Sequence, residues 1–188
     1  MKYFVSTIAV VGIASLASAA DPAALVGEMP LFGAFPTDTY SGFLKVDKTT
    51  TKKLHYVFTL SMDNPTKDPV VIWFSGGPGC SSLLALFMEN GPVVIDDGER
   101  YLKTNPAPWN SRANMLYIES PSGVGFSIGN DKDPKQDDNT QADDALAALL
   151  AWYEIFPEYL NNPLYVTGES YAGIYVPYLA ARAVANNA

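Results

Sequence analysis

The most informative segment for the fold is Leu164-Tyr-Val-Thr-Gly-Glu-Ser-Tyr-Ala-Gly173. Four apolar or β-branched residues predict a short strand, and a helical pattern follows over residues 173–188. A sharp turn between strand and helix forces Ser170 into an uncommon backbone conformation, so the residues two before and two after it must be small. Gly168 and Ala172 meet that demand, and the stretch therefore predicts a nucleophile elbow. The alternative is an ordinary strand-to-helix turn with a surface serine.

A second glycine-rich turn, Ser75-Gly-Gly-Pro-Gly79, lies upstream of the elbow. It follows Pro69-Val-Val-Ile-Trp-Phe74, a continuous apolar run that is typical of a strand buried on both faces of a parallel sheet. Consecutive glycines let the backbone approach a ligand closely, and some hydrolases take one amide of their oxyanion hole from such a loop. Taken alone, the loop is equally compatible with a tight turn that carries no chemistry.

The rest of the chain alternates strand and helix patterns. Residues 21–40 and 129–138 are expected to run over the surface, and Asn139 or Thr140 is expected to cap the long helix. The predicted elements are hairpin strands at 42–46 and 54–60, a short helix at 83–90, a buried strand at 114–119 and a helix at 141–156. The apolar stripe of that last helix is Ala145, Leu146, Leu149, Leu150, Tyr153 and Phe156. This alternation predicts an α/β fold with a mostly parallel sheet.

Composition limits the classes of function. The 188 residues carry 12 Lys and Arg against 20 Asp and Glu, a formal net charge of −8, and 48% of them are hydrophobic. This balance excludes intrinsic disorder and argues against a nucleic-acid partner, because no basic cluster is present to neutralise phosphates. One Cys and one His exclude a zinc site of the CxxC type and a multi-His metal site. No cofactor is expected.

Residues 1–19 are predicted to be a secretory signal peptide. Lys2 provides a positive start, residues 4–16 form an apolar run with small residues, and Ala17-Ser-Ala19 fits the small-x-small cleavage rule. A membrane anchor is the alternative, but the run is shorter than the roughly 20 apolar residues that a spanning helix needs. Residues 20–188 then form the mature domain, in an oxidising compartment where the lone Cys80 suggests a partner thiol elsewhere.

Four motifs resemble the serine carboxypeptidases, a family of secreted, lysosomal or vacuolar α/β-hydrolases. They are Trp73-Phe-Ser-Gly-Gly-Pro-Gly-Cys-Ser-Ser82, Asn110 with Asn114-Met-Leu-Tyr-Ile-Glu-Ser-Pro-Ser-Gly-Val-Gly-Phe-Ser127, Phe156-Pro-Glu-Tyr159, and Gly168-Glu-Ser-Tyr-Ala-Gly-Ile-Tyr-Val-Pro177. The resemblance covers residues 40–188 and keeps the family's order of motifs. It implies an α/β-hydrolase fold as far as the nucleophile elbow, a serine-type carboxypeptidase activity, and peptide or protein C-termini as substrates.

The resemblance also implies a role for individual residues. Ser170 would be the nucleophile that attacks the last peptide carbonyl, and the amides of Gly77 and Tyr171 would form the oxyanion hole. The positions that bind the C-terminal carboxylate of the substrate are occupied by Ser75, Gly76 and Glu169.

Glu89 matches the glutamate that pairs with the position of Glu169 in this family. Because two adjacent carboxylates repel each other, such a pair shares a proton at acidic pH. The neutral carboxyl can then donate a hydrogen bond to the substrate's carboxylate. This gives a physical reason for an acidic pH optimum.

The chain departs from the family pattern at several places. Ser75 stands where Asn is usual, and Ser122 stands where Val or Ala is more common. No Asp or His follows Ser170, although an α/β-hydrolase triad has both after its nucleophile. The only His, His55, lies in an early predicted strand, and the Cys that pairs with the position of Cys80 in this family is missing. We therefore expect the N-terminal portion of a longer enzyme, without its cap and C-terminal part and inactive on its own.

Two other functions stay open at this stage. Some relatives are acyltransferases that pass the acyl group to an alcohol, and a truncated secreted protein could bind peptides without catalysis. The expected location is the secretory pathway, ending in a lysosome, a vacuole or the medium. The sequence leaves the oligomeric state and the side-chain specificity open.

Overall fold

The computed structural model describes residues 24–47, 51–129 and 136–186, and its centre is a five-stranded sheet. The strands are β1 (Glu28–Met29), β2 (Gly33–Ala34), β3 (Thr39–Lys45), β4 (Lys53–Thr59), β5 (Val70–Phe74), β6 (Val93–Val94), β7 (Lys103–Thr104), β8 (Asn114–Ile118) and β9 (Leu164–Gly168). The helices are α1 (Leu83–Met88), α2 (Asp138–Ile155) and α3 (Ala172–Asn186). Short 3₁₀ turns span Trp109–Ser111 and Pro157–Tyr159.

The strand order in the main sheet is β3-β4-β8-β5-β9. β3 pairs antiparallel with β4, and β4 with β8, whereas β8, β5 and β9 run parallel. Every residue of β5 and β8 is buried, as expected for strands covered on both faces. The register sets Phe74 beside Gly168, so both glycine-rich turns leave the sheet at the same edge. That edge, at the carboxyl ends of parallel strands, is where α/β sheets bind ligands. The predicted α/β class is confirmed, but the sheet is mixed, with two antiparallel and two parallel pairings, rather than mostly parallel.

Helices α2 and α3 cover one face of the sheet, and α1 covers the other. On the first face the rings of Phe58, Trp152 and Phe156 pack with centroids 4.9, 5.0 and 5.2 Å apart. Each such ring stabilises the fold by roughly 1.5–3 kcal/mol through its burial. On the second face Ala85 and Leu86 are buried against the sheet. The two clusters cover both faces of β5, which leads into the first glycine-rich turn.

The expected start and core stripe of the long helix are wrong in detail. α2 begins at Asp138, and its cap is Asp137, whose carboxylate accepts a hydrogen bond from the Thr140 amide at 2.8 Å. Asp137 is extended and can turn its side chain back over the first turn, whereas residues 139 and 140 are already helical. Leu150 is 43% exposed, and Trp152 takes the buried position because its ring fills the space beside Phe58.

The expected surface segment 21–40 also needs correction. β3 begins at Thr39, and Tyr40 packs its ring on Phe156 with centroids 5.4 Å apart, so both residues belong to the sheet. The helix after the elbow forms as predicted, with Pro177 inside it. The predicted signal peptide, the hairpin link at 48–50, most of the loop at 129–138 and the last two residues of the final helix lie outside the described residues. No helix in the described ranges is both long and apolar enough to cross a membrane.

Candidate active site

Ser170 occupies the turn between β9 and α3, and its backbone is left-handed with a φ of 54°. Residues other than glycine rarely adopt this conformation, and where they do it is frequently at functional sites. Gly168 shows why the turn needs small neighbours. A Cβ at Gly168 would overlap the Phe74 carbonyl oxygen and lie 2.6 Å from the Cβ of Ala172. The turn therefore has the strained geometry and the steric requirement that the sequence predicts.

The glycine-rich loop after β5 touches this turn directly. A Cβ at Gly76 would lie 2.7 Å from the Glu169 carbonyl oxygen and 2.9 Å from the Ser170 Cβ, and it would overlap the Tyr171 nitrogen. Only a glycine allows this approach. Gly77, the next residue, is exposed with a φ of 108°. The structure thus brings the predicted oxyanion loop against the predicted nucleophile.

The amides of Gly77 and Tyr171 are the candidate donors of the oxyanion hole. Among the described residues, neither amide donates a hydrogen bond to the protein. Tyr171 also precedes the first residue of α3, where the helix dipole places partial positive charge. Amides without a partner in the protein can stabilise an oxyanion that develops on a bound carbonyl.

The two candidate carboxylates lie close enough to influence each other. Glu89 follows α1, Glu169 precedes Ser170, and both side chains are exposed. Partial desolvation and the negative charge of Glu169 raise the pKa of Glu89 above its ordinary value. The pair can therefore hold a proton at a higher pH than an isolated glutamate.

Ser75 is placed differently from the other candidates. It is buried at the end of β5, and its hydroxyl accepts a hydrogen bond from the Trp73 indole at 3.3 Å. Its amide donates to the Ser82 hydroxyl at 3.2 Å. Its side chain is therefore engaged inside the protein.

A cavity of about 390 Å³ adjoins the elbow on the side of Tyr171. The Tyr171 hydroxyl donates to Asp138 at the start of α2, with an O–O distance of 3.1 Å, and so forms one wall. The other lining residues are Pro78, Gly79, Pro121, Gln136, Asp137, Gln141 and Tyr175. A larger and mostly apolar cavity of about 570 Å³ is lined by β3, β4 and α1, and Ser170 is not among its lining residues.

His55 is bonded elsewhere and does not serve Ser170. It is buried in β4, with Nδ1 2.9 Å from Glu119 Oε2 and Nε2 2.9 Å from Ser41 Oγ. Cys80 is exposed and unpaired among the residues that the structure describes. Within the same residues, no group of three or more His, Cys, Asp or Glu side chains is arranged to hold a metal.

Sequence reasoning did not single out Glu119, Ser81 or Asp138. Glu119 and Asp138 both bond to residues near the elbow, and Ser81 bonds to Glu119. One signal was available, because Glu119 is a charged residue directly after an apolar strand, where burial demands partners. Asp138 offered no comparable signal, since acidic residues are common in loops.

Comparisons with known proteins agree with the geometry. The profile of the family described as "Serine carboxypeptidase" matches residues 30–188. The chain is 42% identical to serine carboxypeptidase-like 20 of Arabidopsis thaliana over 100% of this chain and 39% of that protein. It is 49% identical to the lysosomal protective protein of Mus musculus over 75% of this chain and 29% of that protein. The solved structure of the prohormone-processing carboxypeptidase Kex1 from Saccharomyces cerevisiae superposes with a TM-score of 0.70 at 28% identity, over 89% of this chain and 38% of that one.

Proposed function

The chain belongs to the serine carboxypeptidase family, and we propose that it carries the nucleophile and oxyanion hole of an enzyme that releases C-terminal residues from peptides. One observation carries the proposal. Ser170 stands in a left-handed turn at the end of β9, with Gly76 pressed against it. The chain spans 39% or less of the length of the relatives described above, so the activity of the whole protein is itself part of this proposal.

The proposed reaction begins at the Ser170 hydroxyl. Its oxygen attacks the last peptide carbonyl, and the Gly77 and Tyr171 amides bind the oxyanion that forms. The hydroxyl proton passes to the base proposed below and from it to the leaving nitrogen, so that collapse of this intermediate breaks the peptide bond, releases the C-terminal residue as its amine and leaves an ester on Ser170. Water then hydrolyses the ester and returns the free serine.

Glu89 and Glu169 are proposed to recognise the substrate's C-terminal carboxylate, with Gly76 completing the site. Ser75, whose side chain is buried and bonded to Trp73, is proposed to contribute by holding the start of the loop in place. The raised pKa of Glu89 supports a shared proton, so that one neutral carboxyl donates a hydrogen bond to the substrate. This arrangement favours acidic pH. It also favours a peptidase over the acyltransferase alternative, because it binds a charged peptide end.

The triad base and its orienting acid are proposed to come from outside these 188 residues. The only His of the chain is bonded to Ser41 and Glu119, and a serine without a base is a weak nucleophile. We propose that residues 20–188 are the N-terminal part of a hydrolase domain, that residues 1–19 direct it into the secretory pathway, and that the 188 residues alone do not turn over. Its destination would then be a lysosome, a vacuole or the medium. A non-catalytic peptide-binding role is the alternative.

The test is hydrolysis of an N-blocked dipeptide by the protein expressed from the native transcript. Release of the C-terminal amino acid should be lost in Ser170→Ala and kept in Ser111→Ala, which removes an exposed hydroxyl in a 3₁₀ turn. The isolated 188 residues should give no release above background. Full activity in Ser170→Ala would refute the proposal, and release by the isolated chain would refute the requirement for an outside base.

A further inference from the structure

A buried charged network lies beside the glycine-rich loop, and the proposed chemistry does not use it. Its centre is Glu119, which follows β8 and is fully buried. Glu119 Oε2 accepts hydrogen bonds from His55 Nδ1 and from the Phe126 amide, both at 2.9 Å. Glu119 Oε1 accepts one from the Ser81 hydroxyl. These donors offset the large cost of burying a carboxylate.

The carboxylate of Glu119 stays charged in this setting. Burial by itself raises its pKa, but the hydrogen bonds from His55, Ser81 and the Phe126 amide outweigh burial and bring the pKa below its ordinary value. Because a carboxylate oxygen only accepts hydrogen bonds, His55 Nδ1 carries the proton that they share. His55 Nε2 is also bonded, to Ser41, so the ring is fixed at both nitrogens.

The segment that follows β8 wraps around this carboxylate. Gly125 has a φ of 54°, and a Cβ there would overlap Glu119 Oε1. The Ser127 hydroxyl donates to the Glu119 carbonyl oxygen at 2.6 Å and accepts from the His55 amide at 2.8 Å. The segment therefore closes over the charge and excludes water from it.

Two adjacent serines attach the glycine-rich loop to the end of β8. Ser81 bonds to the Glu119 carboxylate. The Ser82 hydroxyl donates to the Ile118 carbonyl oxygen at 2.7 Å and accepts from the Ser75 amide. Ser82 thus fixes the start of the loop at Ser75, and Ser81 ties the far end of the loop to the buried Glu119 carboxylate.

The same loop carries the oxyanion candidate. The Cys80 amide donates to the Gly76 carbonyl oxygen at 3.0 Å and closes a turn that contains Gly77. Gly76 in turn contacts Ser170 and the Tyr171 nitrogen. A continuous set of contacts therefore runs from the buried carboxylate through Ser81 and this turn to the elbow.

We propose that Glu119 is a positioning residue for the oxyanion hole: held by His55, its carboxylate fixes the glycine-rich loop through Ser81 and so keeps the Gly77 amide against the elbow. The inference rests on the proposed function, because it assigns Glu119 to the same reaction. Neither Glu119 nor Ser81 needs to touch substrate for this role.

The test compares Ser81→Ala with Ser81→Thr in the protein expressed from the native transcript. Ser81→Ala removes the link to the loop and leaves Glu119 bonded to His55 and the Phe126 amide. The kcat for dipeptide hydrolysis should fall about tenfold to a hundredfold, as for other small misplacements of a catalytic group, while KM stays within about twofold. Ser81→Thr keeps a hydroxyl and should retain most of the kcat. Glu119→Gln removes the charge with little change of shape and should lower kcat as well.

Matched controls are Ser111→Ala and Glu99→Gln, which alter exposed side chains away from the network and should leave kcat unchanged. Hydrogen exchange of residues 75–82, measured on the 188-residue chain, should be faster in Ser81→Ala than in the parent. This readout does not depend on hydrolysis. If the proposed function fails, exchange still decides whether Ser81 holds the loop.

An unchanged kcat in both Ser81→Ala and Glu119→Gln would overturn the proposal. So would a kcat loss in Ser81→Thr as large as in Ser81→Ala, because the hydroxyl would then not be the group that matters. Unchanged exchange of residues 75–82 in Ser81→Ala would overturn it as well.

Discussion

Individual residues around Ser170 carry steric constraints that can be tested one at a time. Gly168 leaves no room for a side chain, whereas Gly173, two residues into α3, would meet nothing within 4 Å if a Cβ were added. The two glycines flank the same serine at similar distances along the chain. They therefore form a natural pair for comparison.

Gly168→Ala should lower the hydrolysis rate by about a hundredfold. The added Cβ would collide with Phe74 and Ala172, so the elbow must shift, and a small shift of Ser170 is enough to misplace the nucleophile. Gly173→Ala should stay within about twofold of the parent enzyme. Initial rates on the blocked dipeptide at equal folded concentration measure the difference. Equal rates in the two variants would contradict the steric argument.

Glu89 makes a prediction about pH. Its pKa is raised, so it is neutral below that pKa. In the proposed site the neutral carboxyl donates a hydrogen bond to the substrate carboxylate. As the pH rises through the pKa, Glu89 becomes an anion beside Glu169. The two anions repel the carboxylate of the substrate, so KM should increase with pH. Glu89→Gln is neutral at every pH, and its KM should change much less. The measurement is KM against pH for both proteins.

Glu99→Gln, a change at an exposed loop position, is the control and should keep the pH dependence of the parent enzyme. A KM profile in Glu89→Gln that rises as steeply as in the parent would show that another group controls binding.

Elements of the fold are tied together by a buried ion pair. Lys52, just before β4, places Nζ 2.7 and 3.0 Å from the two carboxylate oxygens of Asp144 in α2. Both side chains are buried. The pair holds α2 against the antiparallel side of the sheet. It also explains why Asp144, an acidic residue, lies on the buried face of α2: Lys52 balances its charge.

Lys52→Met should lower the free energy of unfolding by about 3–5 kcal/mol, because it leaves the Asp144 carboxylate buried without its cationic partner. The double variant Lys52→Met/Asp144→Leu should recover most of that loss, since no charge then remains buried. Urea denaturation of the 188-residue chain measures all three proteins.

Arg112 and Asp63 form an exposed pair and provide the control. Arg112→Met should change the free energy of unfolding by less than about 1 kcal/mol. A double variant no more stable than Lys52→Met would show that the pair itself, and not the unpaired charge, sets the stability.

At the scale of the whole molecule, the strand that carries the elbow lies at the edge of the sheet. In the part of the chain that the structure describes, β9 pairs with β5 and with no other strand. Leu164 and Tyr165 of β9 are 36% and 57% exposed. An apolar edge with unpaired backbone groups is a site for pairing between chains.

The isolated 188 residues should therefore self-associate in a concentration-dependent way. Tyr165→Lys should reduce this association, because a charge on an edge strand opposes pairing. Tyr101→Lys places the same charge at a tyrosine that is 60% exposed in a loop, and it should have little effect. Sedimentation velocity over a range of concentrations distinguishes these outcomes. A monomeric parent chain, or equal effects of the two variants, would contradict the prediction.

Features that depend on near neighbours in the chain were predicted more accurately than features that depend on packing. The elbow, the glycine-rich turn and the alternation of strand and helix were predictable, because each depends on neighbours within a few residues. The predicted cap of α2 was wrong by two or three residues. Asp137, Asn139 and Thr140 are all good capping residues, and the direction from which the chain enters the helix selects Asp137. The exposure of Leu150 was missed because the large ring of Trp152 decides the rotation of the helix.

Local sterics and motif order are enough to assign the α/β class, the family and the position of the strained serine from the amino-acid sequence. The pairing of His55 with Glu119 and of Lys52 with Asp144 follows only from the folded chain, because these partners are 64 and 92 residues apart. A buried charge must find a partner wherever the fold brings one within reach. Which residue that is depends on strand order and helix packing, and no local pattern records it.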